Sequence, residues 1–270
     1  MHSLDLIAGW PVDNASAKVV TTGGVTDEYG DADRVYELAS VTKLLVAYAA
    51  LIAIEEEAIA LDQSAGPEGS TVRHLLAHTS GLAFGDMKVQ AEPGKRRIYS
   101  SAGFEVLADT IATESGIPFD RYLDEAVFQP LGMTSSELAG SAGHGARSSV
   151  ADLSAFAAEL LTPRLVSTSL LADATAVQFE GLAGVLPGYG SQKPNDWGLG
   201  FELRDDKSPH WTGARNSRTT FGHFGQSGTF LWVDPEAELA AVVLTDMAFG
   251  EWAKPLWPEL SDEILANNPR

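Results

Sequence analysis

The sequence predicts one α/β domain of the α+β kind: an antiparallel sheet formed by the N- and C-terminal segments, flanked by helices, with an inserted, mostly helical lobe. Three observations predict this fold. β-Prone segments separated by turn signals lie near the N-terminus, apolar residues recur at helical spacing in the middle, and the apolar period switches to two from Trp197 onward. A chain of 270 residues that is 44% hydrophobic is long enough to bury the core of such a domain.

The N-terminal part of the chain supplies the first strands and a central helix. Residues 17–22 are β-prone, a pair of glycines marks a turn, and residues 25–29 form the returning strand. A long apolar helix is then expected from the region of Ser40 to about Ala60. Because it is apolar on nearly all sides, we expect it to be buried at the centre of the molecule.

Four more helices are expected in the middle of the chain, at residues 72–77, 102–112, 119–128 and 150–161. Gly116 is placed to cap the second of them, and Pro130 with Gly132 to end the third. The fourth follows Ser149 in a pattern typical of a capping box. Residues 181–195 are rich in Gly and Pro, and we expect them to form a long ordered loop over the junction of two lobes.

The C-terminal part of the chain supplies the remaining strands, expected at residues 198–203, 229–233 and 239–245. The last two flank a turn and should pair as a hairpin. A closing amphipathic helix is expected at residues 252–267. We therefore expect a single domain of residues 1–270, with a sheet lobe of about residues 1–70 plus 195–270 and a helical lobe of about residues 71–194.

The composition excludes several classes of function. With 18 Lys and Arg against 37 Asp and Glu, the formal net charge is −19, so neither nucleic acid nor an anionic membrane is an expected partner. The absence of cysteine excludes disulfides, thiol catalysis and Cys-based zinc sites. His74 and His78 are spaced i, i+4 without a third ligand, so we expect no metal and no cofactor. The N-terminus lacks the features of an export signal, and the longest apolar stretch, residues 44–54, is too short to cross a bilayer; we expect a cytoplasmic protein.

The segment that indicates a catalytic function is Ser40-Val41-Thr42-Lys43, a Ser-x-x-Lys pattern at the start of the expected central helix. One turn of helix brings the Lys43 amine to the Ser40 hydroxyl. The helix N-terminus favours a developing alkoxide, and burial lowers the pKa of a lysine and makes it a better base. Alone, the pattern is weak, because a serine before an apolar helix is usually a cap.

Three further segments give this pattern its meaning: Tyr99-Ser100-Ser101, residues 75–82 (Leu-Leu-Ala-His-Thr-Ser-Gly-Leu) and residues 222–228 (Gly-His-Phe-Gly-Gln-Ser-Gly). In this order and at these separations they resemble the motifs of the serine β-lactamase and penicillin-binding-protein-like superfamily. The chain looks most like the branch that holds class C β-lactamases, related esterases and D-amino-acid peptidases. The resemblance covers roughly residues 36–244 and implies a β-lactamase/transpeptidase-like fold.

The resemblance also implies a set of catalytic residues. Ser40 is expected to be the acyl-accepting nucleophile, and Lys43 to help remove its proton. Tyr99 is expected to act as a general base or as a proton shuttle with Lys43, which requires a neighbouring cation to lower the pKa of its phenol. The backbone N–H groups of Ser40 and Gln226 are expected to form the oxyanion hole.

Three more residues are expected to bind substrate: Ser101, His223 and Gly225. Ser101 stands where the family usually has Asn, although it could simply cap the following helix. His223 stands where many β-lactamases have Lys, and a histidine that titrates near neutral pH binds a carboxylate less strongly than an ammonium. Both departures argue against efficient β-lactam hydrolysis. Gly225 is expected to let strand backbone pass close to the substrate.

These expectations point to a serine hydrolase that works through an acyl-enzyme on Ser40, with a small ester, amide or β-lactam-like molecule as its partner. A carboxylesterase-like activity is the first hypothesis, followed by a D-amino-acid peptidase or amidase and by a weak class C-like β-lactamase. A non-catalytic binding module on the same fold is the alternative of another class, which Ser101 in place of Asn keeps open. The sequence leaves the oligomeric state open.

Overall fold

The computed structural model describes residues 3–268, so residues 1–2 and 269–270 of the expected domain lie outside it. The strands are β1 (Ala15–Thr21), β2 (Gly24–Tyr29), β3 (Val35–Glu37), β4 (Glu137–Leu138), β5 (Ala146–Ser149), β6 (Gly184–Leu186), β7 (Gly190–Gln192), β8 (Glu202–Leu203), β9 (Phe221–Gly225), β10 (Thr229–Asp234) and β11 (Leu239–Thr245). The α-helices are α1 (Thr42–Glu55), α2 (Val72–Leu76), α3 (Ser101–Ser115), α4 (Phe119–Leu123), α5 (Gln129–Leu131), α6 (Val150–Leu161), α7 (Thr168–Ala174) and α8 (Ala253–Asn267). Short 3₁₀ helices lie at Ser3–Gly9 and Ala39–Val41, and a π-helical turn, Asp124–Phe128, joins α4 to α5.

The main sheet has six antiparallel strands in the order β2-β1-β11-β10-β9-β8. It is built from the two ends of the chain with helices between them, and the expected α+β fold is confirmed. Along β11, Ala240 and Val242 face the core that contains α1 and α6, whereas Ala241 and Val243 face the core that contains α8. The boundaries of the two expected lobes stay a prediction.

Helix α1 runs through the centre of the molecule, and every residue from Thr42 to Ala53 is buried. The helix is shorter than expected, because it ends at Glu55 rather than near Ala60. The chain turns at Glu57, which has a left-handed φ of 59°, and the Ala58 N–H then bonds back to the Ala53 carbonyl at 2.9 Å. The three carboxylates at residues 55–57 are exposed, which a continued buried helix would not allow.

The expected end of the helix that begins at Phe119 is wrong at Pro130. Helix α4, the π-helical turn and α5 run on through this residue. Pro130 follows directly on the π-helical turn, in which the Gln129 N–H bonds to the Asp124 carbonyl. Gly132, with a φ of 68°, ends the helix as expected.

The strand expected at residues 198–203 is also wrong in its extent, because β8 contains two residues. Gly200 packs against the central helix, and a Cβ atom there would lie 2.2 Å from the Cβ of Ala47. Its N–H donates to the Leu76 carbonyl at 2.9 Å instead of joining the sheet. The irregular segment before β8 is therefore a consequence of packing on α1.

Several local signals are confirmed. Gly116 caps α3 with a φ of 71°, and the Ser149 hydroxyl accepts a hydrogen bond from the Asp152 N–H at the start of α6. Strands β10 and β11 form the expected hairpin. Residues 181–195 contain the hairpin β6–β7, and α7 and the small sheet β3-β5-β4 were not expected. None of the helices within residues 3–268 combines the length and apolar character needed to cross a membrane.

Candidate active site

Ser40 lies in the 3₁₀ turn that leads into α1. It does not cap the helix, because the N-cap position is Val41, which has no side-chain capping bond. Ala39, immediately before the serine, has a left-handed φ of 44°, a strained conformation for a residue with a side chain. The Ser40 hydroxyl therefore has no capping role and lies half-buried at the edge of a cavity.

Lys43 is the second residue of α1, three positions after Ser40. It is fully buried, and its amine has three uncharged partners. Nζ donates to the Gly143 carbonyl at 2.7 Å and contacts the hydroxyls of Ser101 at 3.1 Å and Ser40 at 3.4 Å. A neutral amine has two N–H groups and one lone pair. It can donate to Gly143 and Ser101 while its lone pair faces the Ser40 hydroxyl, which is the arrangement of a base that removes the serine proton.

The electrostatic environment of Lys43 favours this neutral form. Burial lowers its pKa to about 7, and the carboxylate of Glu105 offsets the effect of burial in part. At neutral pH a large fraction of the amine is therefore unprotonated. This agrees with the expectation that burial makes Lys43 a better base.

Ser100 and Ser101 have different roles: Ser100 caps a helix, and Ser101 contacts Lys43. Ser100 caps α3, because its Oγ accepts from the Gly103 N–H at 2.9 Å. Ser101 is the first residue of the helix, and its Oγ lies against the amine of Lys43. The capping alternative for Ser101 is therefore wrong, and its role in substrate binding stays a prediction. Its N–H donates to the Phe84 carbonyl at 2.7 Å, which ties the site to the segment before it.

Tyr99 stands beside Ser40 and Lys43, but its environment differs from the expected one. The Lys43 amine lies over the face of its ring, 4.6 Å from the centroid, rather than at its hydroxyl. Burial raises the pKa of Tyr99 above its ordinary value, and the nearby Ser40 side chain lowers it only in part. The phenol hydroxyl is buried without a hydrogen bond of ordinary geometry among residues 3–268. The expectation that a cation lowers this pKa is wrong, and Tyr99 is a protonated donor at neutral pH.

Gly143 and Glu105 hold the Lys43 amine in place, and sequence reasoning missed both. A Cβ atom at Gly143 would lie 2.7 Å from the Cβ of Ser101, so glycine is what allows its carbonyl to reach Lys43. Glu105, on α3, accepts from the Gly143 N–H at 3.3 Å and from the hydroxyl of Ser141. The glycine-rich run at residues 140–145 was the available signal, but nothing in it indicated a contact with Lys43.

His223 lies on β9 and remains uncharged. Burial lowers its pKa to about 3, with a further contribution from Lys43, so the expected titration near neutral pH is wrong. Nδ1–H donates to the Phe224 carbonyl at 2.6 Å, which leaves Nε2 as an unprotonated acceptor. This Nε2 is buried and has no partner among the described residues. Strand β9 therefore presents no cation at this position.

Gly225 and Gln226 follow His223 at the end of β9. A Cβ atom at Gly225 would lie 2.2 Å from the Leu38 carbonyl oxygen and 3.2 Å from the Ala39 Cβ. The glycine thus lets β9 pack against the residues that precede Ser40, which is a different reason from the expected approach to substrate. Gln226 lines the cavity, and its carbonyl accepts from the Phe249 N–H at 2.9 Å.

The oxyanion hole expected from Ser40 and Gln226 is consistent with this arrangement. Both residues line the same cavity, and no hydrogen bond of residues 3–268 uses the Gln226 N–H. Two backbone donors at this position would stabilise a developing oxyanion. Of the expected site residues, Ser40, Tyr99, His223 and Gln226 line the cavity, with Lys43 and Ser101 directly behind Ser40 and Gly225 outside the lining.

The cavity at Ser40, which we call the acyl cavity, has a volume of about 80 Å³. Its remaining lining is largely apolar and consists of Phe84, Leu186, Pro187, Trp197, Phe224 and the buried carboxylate Glu202. The aromatic residues stand within or next to the recognised motifs, but their convergence depends on the fold. A small apolar cavity beside a nucleophile suits the hydrocarbon part of a substrate.

Glu202 belongs to a buried cluster behind the acyl cavity that sequence reasoning also missed. Its carboxylate contacts Lys207 Nζ at 2.5 Å and accepts from His210 Nε2 at 3.0 Å and Trp211 Nε1 at 2.6 Å. Burial alone would raise the pKa of Glu202, but Lys207 and His210 outweigh it and hold the pKa at about 2. Because the carboxylate is charged and fully bonded, it supports the cavity wall and is not available as a general acid.

Comparisons with known proteins agree with this fold. The β-lactamase family model matches residues 12–263. The chain is similar to a β-lactamase of known structure from Mycobacterium bovis, with 60% identity, coverage of 98% of this chain and 99% of that one, and a TM-score of 0.98. It is similar in fold to EstCE1, a hydrolase with promiscuous acyltransferase activity, at 18% identity, coverage of 97% and 96%, and a TM-score of 0.78.

A curated relative is a putative D-alanyl-D-alanine carboxypeptidase from Salmonella heidelberg. It is 24% identical over 213 residues, which are 62% of this chain and 49% of that protein. The chain thus spans about half the length of this relative.

Proposed function

We propose that this protein acts as a carboxylesterase on small esters with a short, uncharged acyl group. The chain belongs to the β-lactamase family and is a serine hydrolase of that family. In this proposal the acyl group is transferred to Ser40 and then to water. The apolar cavity beside Ser40 and the uncharged His223 support this function.

The observation that carries the proposal is the neutral His223 in an apolar cavity beside Ser40. A β-lactam or a peptide that placed a carboxylate against β9 would lose its hydration there without gaining a counter-charge, which is costly. An uncharged acyl group meets no such cost. The small apolar cavity beside Ser40 also favours a short acyl group over a long one.

The proposed reaction uses the residues in a fixed order. Neutral Lys43 accepts the Ser40 proton while Oγ bonds to the ester carbonyl carbon, and the N–H groups of Ser40 and Gln226 stabilise the oxyanion. The carbon–oxygen bond to the leaving group then breaks, and the Lys43 ammonium protonates that oxygen, either directly or through Tyr99, which gives up its own proton and takes the one from Lys43. Neutral Lys43 then removes a proton from the water that attacks the acyl-enzyme. The bond to Ser40 Oγ breaks, the Lys43 ammonium returns the proton to Oγ, and the carboxylic acid is released.

The test compares p-nitrophenyl acetate, butyrate and octanoate as substrates for the wild type and Ser40→Ala. We expect kcat/KM to fall as the acyl chain lengthens, and turnover to vanish in Ser40→Ala. Nitrocefin and a D-alanyl-D-alanine dipeptide are run in parallel. We expect both to be poorer substrates than the acetate by about 100-fold in kcat/KM, because each carries its carboxylate close to the scissile bond, where β9 offers no cation.

Other outcomes would assign the site differently. Nitrocefin or dipeptide turnover above that of the acetate would replace the esterase by a β-lactamase or by a D-amino-acid peptidase. No turnover of any substrate, together with no labelling of Ser40 by a fluorophosphonate, would favour a binding module.

A further inference from the structure

A second concave region adjoins the acyl cavity, and we call it the outer groove. It has a volume of about 450 Å³ and shares Phe84, Tyr99 and Pro187 with the acyl cavity. One of its walls belongs to residues 90–99 and the other to residues 183–191, which include the hairpin β6–β7. A substrate bound at Ser40 therefore has a larger, open space on the far side of Tyr99.

The two walls of the outer groove are joined at its base. The Arg97 N–H donates to the Ala183 carbonyl at 3.3 Å, and a Cβ atom at Gly184 would lie 2.7 Å from the Arg97 carbonyl oxygen. The guanidinium of Arg97 is buried and donates to backbone carbonyls of Ala77, Gln178, Phe179 and Asn195. Arg97 is thus a structural residue and is not available to a ligand.

Lys95 and Arg96, in contrast, line the outer groove with exposed side chains. Neither cation forms an ion pair or a side-chain hydrogen bond among residues 3–268. The carboxylates of Asp86 and Glu92 lie on the same stretch of chain, yet they do not pair with either cation. In a chain with 37 acidic and 18 basic residues, two adjacent unpaired cations at the mouth of a site are a local excess of positive charge.

We propose that the outer groove binds an anionic group, a carboxylate or a phosphate, on the leaving group of the substrate. This assignment rests on the proposed esterase function. Lys95 and Arg96 would attract and orient the anion, while the neutral acyl cavity receives the other half of the ester.

The leaving group, rather than the acyl group, belongs in the outer groove for two reasons. Tyr99 lines both regions and its side chain lies beside Ser40, so a leaving group that departs past Tyr99 enters the groove. The acyl cavity offers about 80 Å³ and no unpaired cation, whereas the groove offers about 450 Å³ and two of them. The released alcohol also has an open exit from the groove.

The test uses two acetate esters that differ in charge, 4-acetoxybenzoate and 4-acetoxybenzamide. We expect the wild type to prefer the benzoate in kcat/KM, with a preference that declines as salt is added. In Lys95→Glu/Arg96→Glu the ratio of benzoate to benzamide kcat/KM should fall about tenfold. Arg215→Glu/Lys254→Glu, which changes the net charge equally at exposed or partly exposed positions outside the groove, should leave the ratio close to the wild-type value.

Two outcomes would overturn the proposal while leaving the esterase function intact. One is a benzoate-to-benzamide ratio that is the same in Lys95→Glu/Arg96→Glu and in the wild type. The other is a wild type that prefers the benzamide. If neither ester is turned over, the esterase function fails, and calorimetry on Ser40→Ala decides the groove separately. Binding of 4-hydroxybenzoate that Lys95→Glu/Arg96→Glu abolishes would support an anion site. Binding that is equal with and without the Lys95→Glu/Arg96→Glu change, or no binding at all, would exclude an anion site in the groove.

Discussion

Lys43 and Lys207 are both buried, but one lies among neutral oxygens and the other beside a carboxylate. Lys43 contacts two hydroxyls and a carbonyl in the region of Ser40. Lys207 contacts Glu202 at 2.5 Å and donates to the Asp196 carbonyl at 2.7 Å. Burial lowers the pKa of both amines, and Glu202 opposes this effect for Lys207.

Both lysines are buried, so the partner of the amine, rather than burial, decides whether the lysine exchanges a proton or forms an ion pair. Without a bonded carboxylate, Lys43 has a pKa of about 7 and can exchange a proton at neutral pH. With Glu202 charged beside it, Lys207 forms a fixed ion pair that holds residues 202–211 behind the acyl cavity. The two lysines should therefore respond to substitution in opposite ways, one in activity and the other in stability.

The largest expected effect is the loss of activity in Lys43→Met. Removing the base should lower kcat/KM for p-nitrophenyl acetate by at least about 10⁴-fold. The free energy of unfolding should stay the same or rise, because a methionine needs no desolvation of an amine. Thermal unfolding and ester kinetics on the same preparation check both parts. An active Lys43→Met protein would remove this lysine from the mechanism.

The second effect is the loss of stability in Lys207→Met. This change leaves the Glu202 carboxylate buried without its cation, which should lower the free energy of unfolding by about 3–5 kcal/mol. Urea titration measures the loss, and the double variant Lys207→Met/Glu202→Gln is the matched control. We expect the control to regain part of the stability, since it removes the uncompensated charge. Equal stability of both variants would contradict the ion-pair account.

The sequence could predict the residues whose geometry is set by local spacing. Ser40 and Lys43 are one helical turn apart. The β-prone runs of β10 and β11 flank a turn at residues 235–238, which predicts a hairpin without distant information. Gly143 could not be predicted as a partner of Lys43, because their contact joins residues 100 positions apart and depends on packing. The same holds for Gly200, whose irregular backbone follows from a close approach to α1.

The protonation states could be predicted only in part, because they depend on neighbours that the sequence does not place. The burial of Lys43 could be predicted from the apolar helix that contains it, and burial lowers the pKa of a lysine. Tyr99 and His223 stand in recognisable motifs, but their pKa values depend on which atoms enclose them. Burial dominates in both, which raises one pKa and lowers the other.

The third prediction concerns the pH dependence of ester hydrolysis. The reactive form holds Lys43 unprotonated, so kcat/KM should rise with pH through about 7 and level off above it. His223, with a pKa of about 3, and Tyr99, with a raised pKa, do not change charge across this window. The measurement is kcat/KM for p-nitrophenyl acetate from pH 5 to 9, with His223→Asn as a variant that should keep the same midpoint. A midpoint that moves in His223→Asn would show that the titration depends on His223 and does not belong to Lys43 alone.

The smallest expected effect comes from Glu105→Gln, which tests the remaining charge that acts on Lys43. The carboxylate of Glu105 stabilises the ammonium form and so raises the pKa of Lys43. An amide can still accept from the Gly143 N–H and from Ser141 but carries no charge. The pKa of Lys43 should therefore fall further, by about 0.5 to 1 unit, and the rising limb of the profile should move to lower pH.

At pH 6 this shift means that a larger fraction of Lys43 is neutral, so ester hydrolysis by Glu105→Gln should be about threefold faster than by the wild type. Above pH 8 the two proteins should be equal, because Lys43 is neutral in both. Glu105→Ala is the comparison that separates charge from position, since it also removes the acceptor that holds the Gly143 loop. If Glu105→Gln lowers the rate at every pH as Glu105→Ala does, then an amide does not replace the carboxylate in holding the Gly143 loop, and the predicted gain at pH 6 is wrong.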